Sequence, residues 1–329
     1  MQVSPVQALR DLEPILRAIE VERSQRVHQF AQITLWSVVI GGLLSLALAM
    51  FQVGLWSLAP LGIALIVVGV AYASKASEWR NTFKARVMTQ LIRLFHPSLN
   101  YYPMRAIPEA EYRLSMLFHN SPDPDRYRGE DYIEGVIDKT DIRLSELHTE
   151  YRQVTYDSKG RRQEHWVTIF RGLFISADFH KHFHGVTLVL PDTEQSWLGG
   201  LGQWLQSISA KLGNQPGELV KMEDPEFERL FKVFSTDQVE ARYILTPNMI
   251  RRIVEFRNRT NSQVRLSFIA SRVFVAIPTY HNYFEPPSLF APADKLLDPS
   301  TLAEYFEELK FALAVVDELN LNTRIWTKR

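Results

Sequence analysis

The sequence predicts an α+β protein in which an N-terminal two-helix transmembrane hairpin precedes a soluble domain of antiparallel sheet and helices. Three observations predict it. No Lys, Arg, Asp or Glu occurs between Arg26 and Lys75, a gap of 48 positions that soluble folds rarely tolerate. Later segments alternate apolar and polar residues with a period of two, as half-buried strands do. Three pairs, Asp224-Pro225, Thr246-Pro247 and Asp298-Pro299, place a capping side chain before a proline at the first helical position.

In chain order, residues 1–31 read as an amphipathic helix, with Leu9, Leu12, Leu16 and Ile19 on one face. The apolar stretch starts too late for a cleaved signal peptide. Residues 32–74 form the hairpin, its spans Ile33 to Phe51 and Leu58 to Ala73. The first covers roughly 28 Å as a helix, close to a bilayer core. Ser57 is expected to cap the second span, with Pro60 in its first turn. Arg23 and Arg26 precede the first span, and Lys75, Arg80, Lys84 and Arg86 follow the second. The loop between them has no cation, so both ends should face the cytosol. Trp36, Trp56 and Trp79 are placed as interfacial aromatics. Gly41, Ser45 and Ala49, with Gly62, Gly69 and Ala73, let helices approach closely, within the hairpin or between copies.

Residues 75–98 continue as a stalk helix with Trp79, Phe83, Val87, Leu91, Leu94 and Phe95 at helical spacing. Residues 99–329 form the cytosolic α+β domain, with a short helix at 108–118 and strands near 132–137, 142–156, 166–179 and 186–190. Asp157 to Gly160 makes a hairpin turn. Segments 264–268 and 272–277 make a second hairpin. A seam between two lobes is expected near 191–217, which is rich in Gly, Ser and Gln.

Composition narrows function by exclusion. Lys and Arg total 37 and so do Asp and Glu, so the zero net charge argues against nucleic acid as partner. Cysteine is absent, which removes disulfides, thiolate catalysis and cysteine-bound metals. Asp178, His180, His182 and His184 would share one face if the strand continued through them, a pattern able to bind zinc. The simpler reading is a polar strand face with Phe179 and Phe183 buried opposite. Gly199, Gly200 and Gly202 resemble a phosphate loop but lack its lysine and spacing. The stripe Trp197, Leu201, Trp204, Leu205, Ile208 and Leu212 is a core helix, or one that touches the bilayer or a partner. Glu130, Asp131, Glu134, Asp138 and Asp141 could serve as acid and base or as cation ligands. As turn and exposed-strand residues they need no such role. No catalytic residue, cofactor or metal ligand is therefore assigned.

The segments Asp125-Arg-Tyr-Arg-Gly-Glu-Asp-Tyr-Ile-Glu-Gly135, Phe170-Arg-Gly-Leu-Phe-Ile-Ser-Ala-Asp-Phe179 and Phe234-Ser-Thr-Asp-Gln-Val-Glu-Ala-Arg-Tyr-Ile-Leu-Thr-Pro247, after a membrane hairpin, resemble a bacterial membrane-protein family known as a domain of unknown function, DUF 3137. The histidine run is not part of that pattern. The resemblance implies no catalytic residues. The expectation is a multi-pass inner-membrane protein whose cytosolic domain binds or scaffolds, with the bilayer and an unidentified protein or lipid as partners and self-association open. The alternative is a membrane-tethered enzyme, such as a hydrolase, using the carboxylates near Glu130 or the histidines near His182.

Overall fold

The computed structural model describes residues 5–51, 54–179, 181–192, 217–292 and 294–319. His180, the glycine loop and the Trp197 to Leu212 stripe lie outside them, as does most of the seam segment. Two compact units emerge: residues 1–95 with 284–307, and residues 96–283 with 308–329.

The first unit is helical. α1 (Pro5–Met50) runs without interruption from the amphipathic segment into the first apolar span, and α2 (Ala59–Phe83) returns after a 3-10 turn at Gly54–Leu58. A single π-helical turn, Lys84–Met88, then leads into α3 (Thr89–Phe95). The expected Ser57 cap is replaced by a bond from its hydroxyl to the Gly54 carbonyl, 2.8 Å, and Leu58 holds the cap position with no side-chain bond. The two helices touch at Gly41, where a Cβ would come within 2.9 Å of the Ala64 Cβ. Gly62 and Gly69 face open space, so they do not make that contact.

Below the spans the burial pattern changes. Ala8, Leu12, Leu16 and Ile19 are fully buried, as are Trp79, Phe83, Val87, Leu91 and Ile92. Segment 284–307 covers them. Trp79, expected at a lipid interface, instead donates to the Pro287 carbonyl at 2.8 Å. Lys84 is buried yet paired with Glu285 at 2.9 Å, and Arg80 reaches the same carboxylate at 3.1 Å. A buried cation without such a partner would be strongly destabilising. Phe290 stacks on Tyr72 at 6.0 Å. The helical stripe of residues 79–92 is therefore packed within its own unit.

Among the described residues the second unit holds a nine-stranded sheet, all of its pairings antiparallel, in the order β1-β2-β3-β4-β9-β8-β5-β7-β6. Its strands are β1 (Leu99–Tyr102), β2 (Arg126–Ile137), β3 (Thr140–Tyr156), β4 (Arg162–Asp178), β5 (Thr187–Pro191), β6 (Glu218–Val220), β7 (Phe231–Ser235), β8 (Arg265–Ile269) and β9 (Arg272–Pro278). The α+β prediction holds, and both predicted hairpins form. At the β3–β4 turn Gly160 takes φ +74°, and Asp157 accepts from the Lys159 and Arg161 amides at 2.9 Å. The β8–β9 turn puts Ala270 and Ser271 at φ 53° and 58°, the positive angles of a type I′ turn made without glycine.

Side chains from alternate positions of β3, β4 and β9 build one core with Tyr112 of α4 (Glu109–Leu114), including Leu147, Phe170, Phe174 and Phe274. The opposite face buries Ile133, Leu144, Leu173, Ile175 and Ile277. Helices α5 (Pro225–Leu230) and α7 (Pro247–Thr260) start at the predicted caps: Asp224 accepts from Glu226 and Phe227, and Thr246 from Met249. Helix α8 (Pro299–Glu318) also starts as predicted, and supplies residues to both units. Helix α6 (Gln238–Ile244), not predicted, is capped by Asp237, which accepts from the amides of Val239 and Glu240.

Two outcomes follow. Asp237→Ala should lower the unfolding free energy by about 1 kcal/mol in denaturant titration, the usual worth of such a cap. His119, half-buried and bound through Nδ1 to the Met116 carbonyl at 2.7 Å, has its pKa pushed down to about 4 by burial. The unfolded chain, titrating near 6.5, takes up this proton first, so stability is whole above about pH 6.5 and falls as the pH drops toward 4. His119→Asn should flatten that part of a melting-temperature profile.

Candidate functional site

The strands that carry the apolar face change character along their length. On β3 the inward positions run Ile142, Leu144, then Glu146 and His148; on β4 they run Ile175, Leu173, then Arg171. Strand pairing sets Arg128 opposite His148 and His148 opposite Arg171, so three basic side chains form one row across β2, β3 and β4. One step along, Glu130 stands opposite Glu146. These two rows wall a cavity of about 370 Å³, closed on another side by Thr279, His281 and Asn282.

A break in β2 builds the acidic end. Pairing slips between Glu130 and Ile133, and Asp131 takes φ 59°, a bulge that lets neighbouring residues depart from strict alternation. Asp131 is fully buried, its amide donating to the Pro103 carbonyl at 3.1 Å and its carboxylate accepting from the Tyr101 hydroxyl. Oxygens of Glu130, Asp131 and Glu146 all lie within 4.8 Å of one another. Carboxylates that close can hold a hard divalent cation. Glu146 also accepts from the Tyr283 amide.

The basic row is unevenly compensated. Arg128 pairs with Glu150 at 2.7 Å. Arg171 donates to the Asn282 amide oxygen at 3.0 Å and lies 5.8 Å from the Tyr280 ring, with no carboxylate partner among the described residues. His148 has its pKa lowered, chiefly by burial, so it is the neutral member at pH 7. His281 meets Glu308 at 2.8 Å. At Gly172, φ +150°, a Cβ would fall 2.1 Å from the Ile277 carbonyl; only glycine lets the chain leaving β9 pass so close.

The sequence-predicted candidates are only partly gathered here. Glu130 and Asp131 belong to the cavity region, but Asp131 is buried rather than exposed on a strand, because the bulge turns it inward. Glu134 accepts from Tyr132 at 2.7 Å, Asp138 sits in the β2–β3 turn at φ 53°, and Asp141 pairs with Arg272 at 2.9 Å; none of these three lines the cavity. The single-strand reading of Asp178, His182 and His184 fails. Pairing with β9 ends at Asp178, and the chain leaves the sheet with Phe179 and Phe183 buried as anticipated. His184 is exposed, its amide held by Glu240 at 3.0 Å. Glu146, His148, Arg171, His281 and Asn282 were not singled out by sequence. For Glu146, His148 and Arg171 the signal is a polar residue at an inward strand position, visible only once the register is known, and His281 and Asn282 come from the segment that follows β9.

Fold and site together define an α+β sheet module that carries a polar cavity, in one chain with a pair of long apolar helices. Residues 168–321, just under half the chain, match the model of a family described as a protein of unknown function, DUF3137. The match contains the second and third of the segments quoted above and begins beyond the first. No curated protein matches. Among solved structures, the mycobacterial trehalose monomycolate transport factor A, TtfA, aligns over 70% of this chain and 91% of that one, with 10% identity and a TM-score of 0.33. A likeness that low carries no functional argument.

Tyr101→Phe removes a donor from the buried Asp131 carboxylate and should cost about 1–3 kcal/mol in chemical denaturation. An unchanged midpoint would mean that this bond does not hold the bulge.

Proposed function

We propose that this chain is an integral protein of the bacterial inner membrane, with two spans and both ends in the cytosol, and that its α+β unit is a binding module rather than an enzyme. The observation that carries the reading is exposure. The most apolar 18-residue windows of the two N-terminal helical stretches are only 11% and 6% buried, whereas a core helix of a soluble protein would be mostly covered. Trp36 and Trp56 are exposed along with Leu43, Leu46, Leu65 and Ile66, and water would penalise such a surface heavily. Orientation is supported by the cations, which flank the hairpin at its open end and are absent from its loop. Binding rather than turnover is supported by the site: its charged groups are placed across strands, and none forms a nucleophile and base pair. The carboxylates of Glu130, Asp131 and Glu146 are what a tethered hydrolase would have to use.

Alkaline carbonate washing of membranes should leave the full chain in the pellet. Protease added to spheroplasts should spare a C-terminal tag that the same protease removes in inverted vesicles. Release by carbonate, or cleavage in intact spheroplasts, would overturn the reading.

A further inference from the structure

We propose that the cavity over β2, β3 and β4 binds an aminoalkyl phosphate, with the phosphoryl group on Arg171 and the ammonium between Glu130 and Glu146. This deepens the binding-module reading and rests on it. The cavity, about 370 Å³, falls at the small end of the range for ligand pockets. Its walls carry opposite charges in separate rows. Arg171, which lines the cavity, supplies the planar fork of a guanidinium, donates to the Asn282 amide oxygen at 3.0 Å and meets no carboxylate among the described residues. Such a fork, with His148 beside it, suits the several oxygens of a phosphoryl group. Arg128 already has Glu150, which leaves Arg171 as the principal anion contact.

The second row lies one two-residue step away, about 6.8 Å along the strands. There Glu130 and Glu146 stand directly opposite, an arrangement of like charges that weakens a sheet. A cation between them relieves this. Neither half alone accounts for the cavity: a bare anion would sit near the carboxylates, and a bare cation would leave Arg171 unanswered. A short chain with an ammonium at one end and a phosphate at the other answers both. This chemistry occurs free, as phosphoethanolamine, and as the headgroup of phosphatidylethanolamine.

The test is calorimetric titration of the full chain in detergent micelles with phosphoethanolamine, inorganic phosphate and ethanolamine. Phosphoethanolamine should bind saturably and at least roughly tenfold more tightly than either fragment. Arg171→Gln and Glu130→Gln should each weaken it roughly ten- to a hundredfold, the loss expected for one charged hydrogen-bonding partner. Arg161→Gln, at the exposed β3–β4 turn, should leave it unchanged. Arg171→Lys keeps the charge but not the fork, and should fall between wild type and Arg171→Gln; it also serves if the glutamine variant loses its native circular dichroism. Reconstitution into phosphatidylcholine vesicles with and without phosphatidylethanolamine separates the sources: competition by the lipid marks the headgroup, and its absence the free metabolite. No saturable binding, or binding indifferent to both Arg171 and Glu130 in folded variants, overturns the assignment. Binding of a divalent cation alone at Glu130 does so too. A chain that stays carbonate-resistant while failing this titration loses the ligand and keeps the membrane reading.

Discussion

Strand β4 is hydrogen-bonded on both sides along its C-terminal half, to β3 through Ala177 and to β9 from Gly172 to Asp178. A strand so placed must hide side chains on both faces, and a period of two then dictates which. Phe170 and Phe174 turn to the core with Tyr112, while Leu173, Ile175 and Ala177 turn the other way. A slip of one residue would exchange these sets and place Arg171 among the aromatics. The register that makes the core also fixes Arg171 at the cavity, so stability and site geometry are one constraint. Gly172 is the consequence: between two packed rings the backbone of β9 comes so close that no Cβ fits.

The helical unit solves a different problem. Along one continuous helix, α1 buries Leu12, Leu16 and Ile19 and then exposes Leu35, Val38, Leu43 and Leu46. Polar chemistry follows the same divide. Arg23 donates to the Leu289 carbonyl at 2.6 Å and pairs with Glu20, whereas the stretch beyond Arg26 contains no charge to satisfy. Inside a bilayer the exposed leucines meet acyl chains and the helical backbone satisfies itself. In water the same surface would drive aggregation.

What the sequence revealed depended on how local the cause was. The charge-free gap, the Asp157 to Gly160 turn and the proline-capped helix starts act within a few residues, and each was legible. Helix α6 was equally local, since Asp237 precedes Val239, Ala241 and Ile244, but its seven residues are too few for periodicity to stand out. Strand β1, four residues long, is recruited by β2 and has no signal of its own. Trp79 was misplaced because its partner, the Pro287 carbonyl, is 208 residues away. The strand through His182 and His184 was extrapolated past Asp178, where the ladder with β9 stops.

The site was the least legible part, for a reason that generalises within this chain. Glu130, Glu146, Arg171 and His281 are separated by 16, 25 and 110 positions, and each looks like an ordinary surface residue in its own segment. Three of them share a positional property: Glu130, Glu146 and Arg171 lie where an inward-facing row, apolar at Leu144 and Ile175, has to change partner, and His281 arrives on the covering segment 279–283. Once Leu144 and Ile175 are known to be cross-strand neighbours, the next inward positions are forced to be Glu146 and Leu173, and then His148 and Arg171. Charged residues there are costly unless something of matching charge meets them. Asp157 and Arg161 show the contrast, since they sit at an exposed tip and satisfy one another at 2.8 Å. The cavity charges have no such freedom of position, because the strands that hold them are fixed by the core.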